Sequence, residues 1–526
     1  MEYDLDHVPG RSGQASRRTA QGDALDPGDA TQGFTHMHQT PPHQDRVFRL
    51  GSSSLSWQEL VHLTRDRLRI EVGPAASDRV ARSWETVTRV ARQRPVYGRT
   101  TGVGANRTVQ VDAAGTEKDV SLLRSHATGS GAWLPGRVVR AGLLARLNQL
   151  LRGGSGMHLD IIPALQDSLA SGELPRVHGF GAIGTGDLGF FGEIALGLMG
   201  ESELSDGSLH RSWWPHEGDA LPFLSTNAMT IAQAALVTSR LHAWLACYEK
   251  VAALSFLAAG GSPETFAPQL RQARPHPGQL KVAQRMHSLL EGQEWETRRI
   301  QDSYGFRALP AVAGAFQQSL SRLGDVLDIE LNAASENPFV SLEDSMVFHN
   351  ANFHTMELAL ALDQAKLALS GVGHLSLARL GDLSNPRMTG LAPFLAGGEP
   401  GSSGIMVLEY SAAAALARLR TAAQPASLGS VVISRGTEDH ASFSTQAVEH
   451  LAQCLDAADI LLACELVAAV RALALQQRSP VPDTELGRFF DSLQPLRDAH
   501  APGDRSLSDD ITRAARHIHL LSADED

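Results

Sequence analysis

The chain has 526 residues, with 46 Lys plus Arg against 58 Asp plus Glu and a net charge of −12. That acidic surplus argues against a general nucleic-acid binder, which needs clustered cations to neutralise phosphates. A hydrophobic share of 43% excludes global disorder, and the length allows about two to four domains or one large helical body. Cys247, Cys454 and Cys464 make no CxxC pair, which argues against a disulfide scaffold or a zinc–thiolate site. No run of about 18 uninterrupted apolar residues suggests a membrane span. The first residues, MEYDLDHVPGRSGQ, have no apolar signal-like core. A soluble, cytoplasmic protein is the expectation.

Residues 1–45 are rich in Gly, Gln, Asp, Pro and His and poor in large apolar residues. They read as a disordered tail whose His7, His36, His38 and His43 are solvated rather than metal-binding. A mixed, loop-rich N-terminal domain is expected over 46–225, with helical stretches at Ser77–Gln93 and Val138–Leu151. A long helical bundle is expected over 226–478, with Ala- and Leu-rich segments at 226–258, 310–330, 355–371, 405–423 and 440–477. In the third of these, Leu358, Leu362, Ala365 and Leu369 fall at i, i+4, i+7 and i+11, one apolar stripe. Alanines along such helices permit close approach, in a bundle possible between subunits as well as within one. The SPVPD stretch, Ser479–Asp483, ends the run, and a short helical tail follows over 479–526.

Gly179-Phe-Gly181-Ala-Ile-Gly184 matches GxGxxG, with Glu201 and Glu203 beyond it. A dinucleotide site needs that motif between a buried strand and a helix, and the GELPRVHGF that precedes it, with Pro175, is no such strand. More informative are six blocks in order. They are Tyr97-Gly-Arg-Thr-Thr-Gly-Val-Gly104, a glycine-rich loop suited to presenting a mobile phenol, then Leu122-Leu-Arg-Ser-His126, Gly184-Thr185-Gly186-Asp187-Leu188 and Gln301-Asp-Ser-Tyr304-Gly-Phe-Arg307. Asn332-Ala-Ala-Ser-Glu-Asn-Pro338 with Asn352-Phe353-His354, and Thr437-Glu438-Asp439-His440, complete the set.

Together these blocks resemble the histidine and aromatic amino-acid ammonia-lyases and their aminomutase relatives, from about residue 50 to the C-terminus. The resemblance implies a mainly α fold with a mixed active-site domain and a central helical bundle, assembled as a homotetramer whose active sites draw on three subunits. It implies a small amino-acid-like substrate and no nucleic-acid or membrane partner. It also implies a methylidene-imidazolone electrophile, cyclised from an internal Ala-Ser-Gly. Carried over to this chain, it makes Tyr97 the candidate base, Tyr304 the second catalytic tyrosine and Glu438 a group beside the substrate ring or amine. Arg307 becomes the carboxylate grip, a role its planar fork suits. Gln301 and Phe353 become binding residues, and Ser125-His126 matches the ring-selectivity pair of the histidine branch. A phenol has a pKa of about 10, so Tyr97 is a base near neutrality only where that value is lowered.

The chain departs from the family where the electrophile is made: Gly184-Thr185-Gly186 stands in place of Ala-Ser-Gly. Dehydrated Thr185 would carry an extra methyl on its alkene, and β-branching restricts the bend that cyclisation needs. Gly184 loosens the loop. Leu224, in Leu224-Ser225-Thr226-Asn227, stands where the family has an asparagine that supports the group, and Thr437 replaces a glutamine. The expectation is therefore a divergent lyase without the methylidene-imidazolone and with no metal. It would use tyrosine-assisted proton transfer for an elimination, conjugate addition, cyclisation or isomerisation. The alternatives are an ammonia-lyase or aminomutase with a Thr-derived electrophile, and a catalytically silent binding or partner subunit.

Overall fold

The computed structural model describes residues 47–65, 69–111, 115–497 and 503–524. The predicted tail over 1–45 lies outside the described residues. Strand Val47–Leu50 pairs in parallel with Arg69–Val72, and helix Trp57–Leu63 between them is closed by a capping box of Ser56 and Glu59. Helix Pro74–Ala91 starts on a proline, whose missing N–H costs nothing at a helix start. It buries Ala76, Val80, Ser83, Val87 and Val90, one face at helical spacing. Strand Ser130–Trp133 pairs antiparallel with His178–Phe180. The GxGxxG segment thus leaves a three-residue antiparallel strand, not the parallel strand of a nucleotide fold.

The bundle is built from Ala228–Ala259, Leu309–Leu331, Met356–Leu383, Leu408–Ala422 and Ser444–Leu475. Their ends agree with the Ala- and Leu-rich runs to within a few residues, except that the third continues well beyond 371. Met356–Leu383 packs on Ser444–Leu475 and on Leu309–Leu331, while Gly136–Leu150 packs on Ala228–Ala259. Leu358, Leu362, Ala365 and Leu369 are all fully buried, as the stripe requires. The stretch Ala220–Ala259 is long and apolar enough to cross a membrane by composition, contrary to the sequence expectation, but most of it is buried inside the bundle. Among the described residues one continuous core runs from Leu50 to Ile518, on both sides of positions 225 and 478.

Two buried ion pairs hold segments that carry the sequence blocks. Arg379 and Glu465, both fully buried, form a two-pronged pair at 2.6 and 2.8 Å. Arg379 also donates to the Tyr248 hydroxyl at 2.9 Å and to the Gly305 carbonyl at 3.1 Å. Arg146 pairs with Glu336 at 2.9 Å, tying the Asn332–Pro338 block to the helix beneath the N-terminal domain. Unpaired, each of these charges would cost several kcal/mol to bury, so each pair fixes the segment it holds.

Candidate active site

A cavity of about 330 Å³ opens between the Tyr97 loop, the end of the helix bearing His126, the Gly184–Leu188 segment and the 434–438 loop. Tyr97, His126, Thr185, Phe353 and Glu438 all line it. Residues from five of the six blocks, spread from Tyr97 to Glu438, thus meet at one pocket. Gln301, Tyr304 and Arg307 do not line it. They lie together on or beside a short helix, Tyr304–Arg307, where the Arg307 guanidinium stacks 4.2 Å over the Tyr304 ring, which is 68% exposed. Leu224 does not line it either, because it is wholly buried; its neighbours Leu221 and Ser225 do.

The Tyr97 loop, expected to be mobile, is anchored on several sides. The Tyr97 amide donates to His349 Nε2 at 3.1 Å, and Arg99 reaches the carbonyls of Gly156 and Glu217. Gly98 sits at φ +71°, and a Cβ there would fall 2.1 Å from Leu221 Cδ2, so only glycine lets the loop lie on the pocket wall. Ala105 N–H donates to Ser434 Oγ at 3.0 Å and Arg107 to Thr437 Oγ1 at 2.6 Å, which seats this loop on the block carrying Glu438.

The Tyr97 hydroxyl accepts from the Gly104 amide at 2.7 Å. Burial nevertheless pushes its pKa above the ordinary value, and the Glu438 carboxylate adds to the rise, while the Gly104 amide and Arg107 oppose it. Within its own chain Tyr97 is therefore held as the phenol, and the lowering that a base needs is not supplied there. His126 Nδ1 lies 2.9 Å from the Leu122 carbonyl, which can only accept, so Nδ1 carries the proton and Nε2 is left as an acceptor. The site thus offers a phenol, a carboxylate and an imidazole acceptor, a set suited to moving protons and to binding a polar ring.

The Gly184–Gly186 segment is held by its backbone. The Gly184 carbonyl accepts from Thr355 Oγ1 and Ser442 Oγ, each at 3.1 Å. The Gly186 amide donates to Asn227 Oδ1 at 3.0 Å, and Asn227 Nδ2 donates to the Phe353 carbonyl at 2.6 Å. Gly184 has φ +80°, and an added Cβ would fall 2.0 Å from Ser442 Oγ, so an alanine would need the serine to move. Asp187, fully buried, accepts from Thr230 N–H and Oγ1 and is pushed up to about 6 by burial. The atoms that would react in a cyclisation, the Gly184 carbonyl and the Gly186 nitrogen, thus face donors and an acceptor that suit them. The backbone cradle fits the family's prosthetic group; the side chains at 184 and 185 are not those that form its unsubstituted methylidene.

Asn227, Ser434, Thr355 and Ser442 carry no signal in the sequence that marks them as site residues. Asn227 closes the Leu224–Asn227 block, but comparison with the family by position points to Leu224, three residues earlier.

Comparison with known proteins bears on the family and the fold. The profile of the aromatic amino acid lyase family matches residues 55–494. The histidine ammonia-lyase of Symbiobacterium thermophilum is 34% identical over 489 residues, covering 88% of this chain and 95% of that protein. The tyrosine aminomutase of Streptomyces globisporus superposes with a TM-score of 0.82 at 27% identity, over 90% of this chain and 97% of that one. The ergothionase of Treponema denticola shares the fold, with a TM-score of 0.85 at 24% identity, over 91% and 100%. With its ordered blocks, its bundle and its pocket, the chain belongs to the aromatic amino acid lyase family, alongside the histidine ammonia-lyases and the aminomutases.

Proposed function

We propose that this protein is a lyase that eliminates a leaving group better than ammonia from a histidine-like amino-acid derivative, without a methylidene-imidazolone. The observation that carries this reading is the convergence of Tyr97, His126 and Glu438 on a pocket whose electrophile position is Thr185. An ordinary amine departs from an amino acid only when activated. A quaternary amine leaves as a neutral molecule and needs only that a neighbouring proton be removed while the carboxylate is held. Tyr97 takes that proton, Glu438 lies beside the departing group or ring, and His126 Nε2 accepts a hydrogen bond from the ring.

Tyr304, Arg307 and Gln301 reach the pocket from another subunit of a homotetramer. Supporting this, Leu360 and Leu367, seven residues apart on one bundle helix, are about half exposed, as a bundle completed by other copies would have them. The Arg307 cation arriving beside Tyr97 favours phenolate, offsetting the rise that burial imposes within one chain.

A second reading, an ammonia-lyase or aminomutase with a Thr185-derived electrophile, is favoured by the cradle around Gly184 and Gly186 and by the histidine ammonia-lyase relative. Intact mass with peptide mapping across 184–186 separates the two. An unmodified Gly-Thr-Gly is expected; a deficit of two waters localised there would put the second reading first. Ergothioneine, which the fold neighbour from Treponema denticola is described as degrading, and histidine are the first compounds to assay. Turnover should fall about 10²- to 10⁴-fold in Tyr97→Phe. Turnover unaffected by that change would remove Tyr97 from the proposed chemistry.

A further inference from the structure

Away from the pocket, two histidines and a carboxylate separated in sequence come together. His158 and His216 stack with ring centroids 3.6 Å apart and a tilt of 33°. Asp160 Oδ2 lies 2.7 Å from His216 Nε2 and 3.5 Å from His158 Nδ1. One ligand atom from each residue falls within 4.8 Å of the other two. His158 Nδ1 also accepts the Asp160 amide at 3.3 Å. Metal ligation would take over the His158 Nδ1 lone pair from that long amide bond and replace the proton shared between His216 Nε2 and Asp160 Oδ2.

The backbone beneath these side chains is fixed independently of them. Asp219, wholly buried, takes the His158 amide on one oxygen at 3.0 Å and the His216 amide on the other at 2.9 Å. Arg99 hooks the carbonyls of Gly156 and Glu217, next to the same two segments, at 3.4 and 2.9 Å. Trp84 packs edge-on against His158, with ring centroids 4.9 Å apart, and forms an apolar wall. A site whose supporting shell is already placed loses little on binding, and such shells orient ligands.

We propose that His158, Asp160 and His216 bind a Zn²⁺ ion, with solvent completing a tetrahedron. Two imidazoles and one carboxylate, with no thiolate, suit zinc better than magnesium or calcium, which prefer all-oxygen shells. Zinc–ligand bonds of about 2.0–2.2 Å place tetrahedral ligand atoms roughly 3.3–3.5 Å apart. Asp160 Oδ2 already lies within 3.5 Å of both nitrogens, so the contraction falls to the rings, of which the His216 side chain is 41% exposed. The bound ion would brace the two segments that Arg99 grips, and so stiffen the loop that presents Tyr97.

The test is calorimetric titration of the full chain with ZnCl₂, in wild type, Asp160→Asn and His216→Ala. The chain has 21 histidines, so the site is read as the difference between proteins. One zinc per chain should be lost in His216→Ala, and its affinity should fall tenfold or more in Asp160→Asn. That second change is at an exposed side chain, so it keeps the test valid if the first protein misfolds. Cobalt(II) added to wild type should give a visible tetrahedral spectrum that both variants lose or weaken. Equal stoichiometry and affinity in all three proteins, or a cobalt spectrum unchanged by both substitutions, would overturn the proposal.

Discussion

Removing the charge of Glu465 tests the idea that buried ion pairs position the site-bearing segments. Glu465 accepts both prongs of Arg379, at 2.6 and 2.8 Å, and also the hydroxyls of Ser255 and Ser376 at 2.8 and 2.6 Å. Glu465→Gln keeps the volume but leaves the Arg379 cation buried without a counter-charge. Breaking such a pair costs about 3–5 kcal/mol. In Arg379→Met/Glu465→Leu the uncompensated charge is gone. The orphaned groups that remain, the Tyr248 hydroxyl and the Gly305 carbonyl, cost about 1–3 kcal/mol each where they stay dry. The serines can turn back to their own helix carbonyls. The double variant should therefore lose clearly less than the two single losses summed, a coupling of at least about 2 kcal/mol. Urea denaturation at one fixed protein concentration measures this, with slopes compared to check that the transition is unchanged in kind. Because Arg379 also holds the Gly305 carbonyl, Glu465→Gln should raise KM as the Tyr304–Arg307 turn loosens. A loss below about 1 kcal/mol in Glu465→Gln, or strict additivity in the double variant, would refute the argument.

Three further outcomes are expected. Leu362→Ala, at a wholly buried position of the predicted stripe, should cost about 2–5 kcal/mol in the same urea assay; a cost near zero would mean that the helix face is not packed. Asp187, pushed up to about 6 in the fold against about 3.9 when unfolded, binds a proton more tightly in the native state. Its contribution to stability therefore increases as pH falls through 6 toward 4 and is lost as pH rises through 6. Relative to Asp187→Asn, wild type should gain about 1 kcal/mol between pH 8 and pH 5, and a flat difference would contradict the assigned shift. Finally, the Tyr97 phenol, followed as the phenolate absorbance that Tyr97→Phe removes, should titrate at higher pH in Arg307→Ala than in wild type. Identical midpoints would detach Arg307 from the pocket.

The bundle was legible because its helices announce themselves in composition. Ala228–Ala259 and Ser444–Leu475 are long runs of Ala and Leu nearly free of proline, and the spacing of Leu358 to Leu369 placed one buried face correctly. The pocket was legible only through the resemblance, since nothing local ties Tyr97 to Glu438, which is 341 positions away. The parts that sequence does not reveal depend on tertiary placement. Ser442 and Thr355 act through hydroxyls on a single distant carbonyl, and serine and threonine are too common for that to be read in a string. His158 and His216 each look like isolated histidines until Asp219 brings their backbones side by side. The weight placed on Leu224 passed over Asn227 because a motif comparison by position cannot show which side chain reaches the Gly186 amide.

The cradle around Gly184–Gly186 has a consequence for how such proteins change over time. Its hydrogen bonds run to backbone atoms, from Asn227, Thr355 and Ser442, and need nothing of the Thr185 side chain, whereas a Cβ at 184 would have to displace Ser442. A lineage could therefore exchange a self-made cofactor for none, or recover it, through substitutions at 184 and 185 and small adjustments beside them, while the surrounding scaffold stays intact. Two kinds of chemistry would then be neighbours in mutational space even where they are remote in mechanism, and overall similarity would be a poor guide to which one a given descendant performs.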